Sequence, residues 1–400
     1  MTINLALRIF RFIPEKLTFW KYFCNLVTTK LTKSIKMNLQ KLLLLFLGLC
    51  SLVILSCGGD DDDDDENNES NIVIIEEDVN TPTTWYGDSI YIISKYDFYV
   101  TSNLTIQPGT IVKFHPGDGP YLMLGGSGVM NAQGTAAKPI IFTSYYDDAH
   151  GGDNNGDEGS TQPEARDWGG INTNGESGSI FRYCEFLYGG DVLYNATLTV
   201  YGGHATIENC IFIHNDGSFD HVGVLDASDA ETGTIIRNNT FYGNVRPLTI
   251  SSAFDMDDSN VFHNPDDVSE TNQYNGIFVD LSDYITTDRQ WRETEVAFVM
   301  DGYQRYIDTG GSLTLGNNVV IKFQSTGELW LEEGASQLIN HDGTGVYFTS
   351  YKDDSRKGDT NGDGNSSSPA NGDWSGIYDN SMSLPAPHFY TWANILYDSY

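Results

Sequence analysis

The sequence predicts an all-β chain wound as a right-handed parallel β-helix, and three observations lead there. Apolar residues come in short β-branched and aromatic runs, such as Ile111-Val-Lys-Phe114, Tyr121-Leu-Met-Leu124, Ile140-Ile-Phe142 and Ile211-Phe-Ile213, separated by Gly and Asn. This is strand patterning, and beyond residue 56 no stretch sustains the 3.6-residue period of a helix. Second, residues 205–215, 234–244 and 258–264 share one grammar: an Asn in a bend, a Phe in the run that follows, and a closing Asn. They recur every 20 to 30 residues or so, roughly the length of one coil of a stacked solenoid. Asn tolerates left-handed backbone angles and can bond its counterpart on the next coil. Third, residues 104–114 return as 313–323, Phe142-Thr-Ser-Tyr-Tyr-Asp-Asp148 as Phe348-Thr-Ser-Tyr-Lys-Asp-Asp354, and Asp167-Trp-Gly-Gly-Ile171 as Asp373-Trp-Ser-Gly-Ile377.

From the amino terminus, residues 1–36 read as an extension upstream of a true start at Met37. Residues 37–56 are a basic leader and an apolar run, Leu42 to Leu55, too short for the roughly 20 residues of a membrane-crossing helix. Residues 57–83 open with Cys57-Gly-Gly and six consecutive aspartates, 60–65, whose mutual repulsion predicts a hydrated tether. Residues 84–285 form the first full repeat unit and 286–400 a second that stops early, with Trp85 and Trp291 marking their beginnings. The missing second half predicts a truncated reading frame.

Composition bounds the function. With 40% hydrophobic residues, 23 Tyr and 20 Phe, the chain has material for a packed core. Net charge is −33; eight of the 22 basic residues and one of the 55 acidic ones precede Cys57, which leaves 14 against 54 beyond it. Such a field repels nucleic acid and anionic lipid and favours divalent cations.

The clearest candidate site is a repeated acidic loop. Asp153-Asn-Asn-Gly-Asp157 and Asp359-Thr-Asn-Gly-Asp363 place oxygen donors at alternate positions, with Asp147-Asp148 and Asp353-Asp354 just upstream. Hard oxygen donors at this spacing suit a structural Ca²⁺. The candidate ligands are Asp147, Asp148, Asp153, Asn155, Asp157 and Asp167, and in the second copy Asp353, Asp354, Asp359, Asn361, Asp363 and Asp373. The alternative is a polar Asx-turn loop without an ion. Trp168 and Trp374 are expected to pack where each loop rejoins its coil, with sugar stacking as the lesser reading.

Catalytic signals are thin. Asp255-Met-Asp257-Asp258, His214, His221 and His263 are the acids and bases on offer, and solvated turns explain them as well. Cys184 and Cys210 lie 26 residues apart and are expected on neighbouring coils, as a disulfide or as free core thiols.

Four resemblances add to this reading. Ile54-Leu-Ser-Cys57 resembles the lipobox of bacterial lipoproteins, which implies that Cys57 carries the lipid. The acidic run behind it resembles the export signal of Bacteroidetes surface lipoproteins, which implies an outer-membrane anchor facing the cell exterior. The motif at 153–157 and 359–363 is locally similar to EF-hand-like and dockerin-like calcium loops, although the twelfth position is Glu164 in one and Ala370 in the other. The coil grammar resembles the pectin-lyase-like β-helix proteins, a scaffold that serves lyases, hydrolases, adhesins and passive surface proteins. Polygalacturonase-like Asn-Thr-Asp and Gly-His-Gly signatures are absent. The expected function is therefore a calcium-stabilised surface module for binding or adhesion, to glycan. A polysaccharide lyase or glycosidase and a passive spacer are the alternatives.

Overall fold

In the computed structural model, residues 71–116, 121–190, 196–217, 222–280, 284–381 and 388–400 are described. Cys57, the leader, the aspartate run and His221 fall outside them. Residues 69–400 form one compact unit. Among the described residues there is no α-helix, only a 3-10 turn at Ala335–Gln337, and none long and apolar enough to cross a membrane.

The chain is a parallel β-helix. Six successive coils each send one strand to a six-stranded, a seven-stranded and a ten-stranded sheet, as in Leu104–Ile106, Ile111–Phe114 and Tyr121–Leu124. Within these three sheets the pairings between coils are parallel and in register, for example Phe186↔Phe212↔Phe241. The seven-stranded sheet starts earlier than the sequence suggests. Asn71–Ile75, within the stretch read as tether, pairs with Ser89–Ile93 and packs Val73 and Ile75 against the core. It covers an edge that would otherwise leave backbone groups unpaired.

The two repeat units are not separate bodies. The ten-stranded sheet runs through both, from Leu248–Ser251 to Gly276–Asp280, Ala297–Met300 and Val320–Phe323. The copies nevertheless occupy different faces. Ile111–Phe114 lies in the seven-stranded sheet, and its copy Val320–Phe323 in the ten-stranded one. Tyr121–Leu124 lies in the ten-stranded sheet, and its copy Glu328–Leu331 in a four-stranded one. The shift falls where the seven-stranded sheet ends. There an antiparallel hairpin, His263–Asn264 with Asp267–Thr271, leaves the stack, and a new face starts at Ile285, bridged to Ile307.

Inside, like stacks on like. Phe142, Phe186, Phe212, Phe241 and Phe262 form a column with centroid spacings of 5.1, 4.7, 4.9 and 5.5 Å. Each buried ring contributes roughly 1.5–3 kcal/mol of apolar transfer. The Asn grammar becomes two buried ladders. The backbone N–H of Asn215 donates to Asn244 Oδ1 and that of Asn244 to Asn272 Oδ1, while the side-chain amides donate to the carbonyls of Phe186, Phe212 and Phe241. Asn239 and Asn260 form the second, which Cys210 N–H enters by donating to Asn239 Oδ1 at 2.9 Å. Asn209 and Asn238 supply the left-handed turn beside it, at φ 56° and 55°. Cys184 and Cys210 are free thiols buried in the core, and burial pushes the Cys184 thiol upward.

Candidate functional site

Both acidic loops grow from the same anchorage. Ile140–Ser144 and Tyr347–Ser350 each end in Thr-Ser. Thr143 donates to Asp147 Oδ2 at 2.6 Å and Thr349 to Asp353 Oδ2 at 2.7 Å, which fixes the start of each loop. Ser144 donates to Asp167 Oδ2 at 2.6 Å and Ser350 to Asp373 Oδ2 at 2.8 Å, which fixes its return. Trp168 and Trp374 follow, 0% and 1% exposed, their indole N–H groups donating to the carbonyls of Leu187 and Leu396. They pack where the loop rejoins the coil, and their burial rules out sugar stacking.

The tips close as tight Asx turns. Asp153 accepts from the N–H groups of Gly156 and Glu158 at 2.6 and 2.9 Å, and Asp359 from those of Gly362 and Gly364 at 2.7 Å each. The Thr161 hydroxyl, with backbone N–H groups, holds the Asp157 carboxyl below its usual range, and the Ser367 hydroxyl does the same for Asp363.

Of the twelve expected ligands, the fold brings six together in two triads. Carboxylate oxygens of Asp148, Asp153 and Asp157 lie within 4.8 Å of one another, as do those of Asp354, Asp359 and Asp363. In each triad one oxygen, Oδ1 of Asp148 or of Asp354, is buried without a hydrogen-bond partner. Desolvation and the neighbouring carboxylates raise both groups. Three converging carboxylates with an unsatisfied oxygen are a donor set that fits a hard divalent cation.

The other six do different work. Asp147 is buried and pairs with His150 at 2.6 Å; burial pushes its carboxyl up, but His150 and Thr143 outweigh this and hold it low. Asp353 bonds Thr349 and Ser355. Asp167 and Asp373 accept from the hydroxyls of Ser144 and Ser350 and lie outside the two triads. Asn155 and Asn361 cross-brace the loops through Thr161 and Ser367.

Each triad has a lysine beneath it. Lys113 and Lys322 point outward from strands whose alternate residues, Val112, Phe114, Ile321 and Phe323, are in the core, yet both lysines are 0% exposed because the loop folds back over them. Lys113 Nζ donates to the carbonyls of Asp147 and Gly152 at 2.8 and 3.0 Å. Lys322 Nζ donates to the Gly358 carbonyl at 2.7 Å and to Thr360 Oγ1 at 3.0 Å. Burial pulls Lys322 down to about 8 against the field of Asp354, Asp353 and Asp359, and Lys113 moves the same way. The signal was legible: a lysine recurs in the same place of an otherwise apolar strand, Ile-Val-Lys-Phe and Val-Ile-Lys-Phe.

The described acid and base candidates do not converge. His214 meets Glu270, His263 meets Glu295, Asp255 accepts from Gln290 N–H, Asp257 pairs with Arg237, and Asp258 caps Thr294. Each holds a turn or hairpin in place.

Two aromatic features of the described outer surface bear on ligand binding. On the four-stranded sheet Tyr306, Trp330 and Tyr378 are in register, but their rings face each other at 6.0 and 4.6 Å, so they turn edges outward and present no flat platform. The second is a recess of about 240 Å³ at the corner between the ten- and four-stranded sheets. Phe278 and Val299, neighbours in register, form its floor. Asp280, Asp301 and Gln324 stand at its rim, and Tyr303, 70% exposed, forms a wall. The Arg305 guanidinium lies 5.6 Å from the centroid of the Tyr303 ring and pairs with Asp301. No protein-family model, curated protein or solved structure matches this chain.

Proposed function

We propose that the chain is a lipid-anchored, cell-surface β-helix that works as a glycan-binding or adhesion module, with a structural Ca²⁺ in each acidic loop. The observation that carries the binding reading is the lateral recess, where the exposed Tyr303 ring stands beside Asp280, Asp301 and the Gln324 amide, an aromatic face and polar groups of the kind that contact a sugar ring and its hydroxyls. The anchor rests on Ile54-Leu-Ser-Cys57 and the surface address on the aspartates behind it. Asp148, Asp153 and Asp157, and Asp354, Asp359 and Asp363, would hold the ions. Bound Ca²⁺ neutralises carboxylates that otherwise repel and so offsets the entropy of ordering each loop.

Affinity electrophoresis of the protein through a panel of polysaccharides, with reducing ends assayed in parallel and with chelator added, tests the reading. Retardation without product supports a binder. Product formation replaces it with the enzyme reading, and no retardation by any glycan overturns it.

A further inference from the structure

We infer that the hairpin at 263–271 is a proton-dependent latch, docked on the solenoid while Glu293 is protonated and His263 is charged, and released locally as those protons leave. The hairpin stands where the seven-stranded sheet ends, between Asn260 and Asn272, the last members of the two Asn ladders. Its backbone reaches the stack where Gly243 N–H donates to the Thr271 carbonyl at 3.1 Å. Apolar packing does not hold it: in Asp267–Thr271 every residue but Glu270 is exposed, Val268 by 70%. Carboxylates and imidazoles hold it instead. His263 Nδ1 meets Glu295 Oε1 at 2.6 Å, and the same oxygen accepts the Phe262 N–H at 3.1 Å, which ties the hairpin to the last ring of the Phe column. On the other strand Glu270 reaches His214 Nε2 at 3.2 Å and braces Asn264 at 2.7 Å. Behind Glu295 lies Glu293, fully buried, whose Oε1 accepts the Glu295 N–H at 2.7 Å and whose Oε2 has no hydrogen-bond partner.

A carboxyl so placed is comfortable only as the neutral acid. Ionised, it is a buried charge in the field of two others, Glu295 and Asp258. Burial accordingly raises it to about 8. Lys357 of the second acidic loop reaches this segment, but its ammonium is engaged by the Thr294 carbonyl. The imidazoles are biased the same way. His263 faces Glu295, and His214 faces Glu270, with the Tyr188 ring stacked on it and Tyr242 set edge-on. Asp266 and Asp267 at the turn add further negative charge. Imidazoles shed their charge between about pH 5 and 8, and with it their attraction for a carboxylate. Protons on Glu293 and on the imidazoles thus favour the docked hairpin at low pH, and each proton lost as the pH rises weakens the docking, so the effects add in one direction. Release stays local because the ladders on either side, ending at Asn260 and Asn272, contain no titratable side chain.

Hydrogen–deuterium exchange of the full-length protein at pH 5 and pH 8, corrected for the pH dependence of intrinsic exchange, tests the latch. The expected result is a loss of protection of about tenfold at the amides of Phe262 and Gly243 at pH 8, with those of Ile111–Phe114 unchanged. Glu293→Gln, neutral at both pH values, should keep most of that protection at pH 8. His263→Gln retains a donor for Glu295 without the charge and should lower protection already at pH 5. The wild-type comparison alone can reject the latch: protection at the hairpin that does not fall with rising pH overturns it, and so does an equal fall in Ile111–Phe114, which is a change in global stability only. A fall that persists undiminished in Glu293→Gln, or protection at pH 5 that His263→Gln leaves intact, overturns it as well.

Discussion

Trp168 lies face to face with Phe114, ring centroids 4.2 Å apart and planes 5° from parallel, and Trp374 repeats the contact on Phe323 at 4.1 Å and 4°. Phe114 ends the strand that carries the buried Lys113, and Trp168 begins the return from the loop that covers it. The stack is thus the clasp that shuts each acidic loop.

Opening the clasp should free the loop. Trp168→Ala is expected to cost about 3–5 kcal/mol, as for other buried aromatics truncated to Ala. It should also make residues 149–166 the first site of limited proteolysis, while residues 355–372 stay protected. Melting temperature and mass mapping of the fragments read both effects.

The Asn ladder predicts a cost of a different origin. Asn244→Leu keeps much of the volume but strands Asn215 N–H and the Phe212 carbonyl, each buried, for about 1–3 kcal/mol per orphaned group. Denaturant unfolding should show a lower midpoint with an unchanged m-value.

Calcium should raise the melting temperature of the wild-type protein and chelator should lower it. For one site the gain is about 2.7 kcal/mol at an ion concentration 100-fold above the dissociation constant. Asp148→Asn and Asp354→Asn should each remove part of the shift, and the double variant all of it. A melting curve indifferent to calcium rejects the ion and leaves the Asx-turn loop.

Glu293 predicts a pH dependence. It is 0% exposed, its Oε2 lacks a hydrogen-bond partner, and burial raises its pKa from 4.5 to about 8, with Asp258 and Glu295 adding to the rise. The folded state therefore binds the proton more tightly than the unfolded chain. The stability linked to this proton is fully present below about pH 4.5 and is lost as pH rises toward 8. Glu293→Gln should remove that slope and be the more stable protein at pH 8, by a few kcal/mol. Unfolding titrations of both proteins at pH 5 and pH 8 check the sign.

Much of the architecture was readable because a solenoid writes its period into the chain. The Phe column and the Asn ladders both come from residues that recur at the same point of each coil. What the period does not carry is facing. Residues 104–114 and 313–323 read as equivalents and fold as equivalents, yet which sheet each joins depends on the hairpin at 263–271 and the new face at Ile285. The candidate metal residues divide for a similar reason. Spacing showed twelve oxygen donors, but Asp147 and Asp167 are drawn away by Thr143, His150 and Ser144, partners whose proximity exists only after the loop has closed.

The displacement of the second repeat has a geometric result. The loop at 145–167 blankets the seven-stranded sheet, where Gly151 approaches Ile90 and Ile111, whereas the loop at 351–373 blankets the ten-stranded sheet, where Thr360 approaches Gly276. Two nearly identical knuckles therefore fasten different sheets of the same solenoid. Duplication here doubles the fastenings of the scaffold.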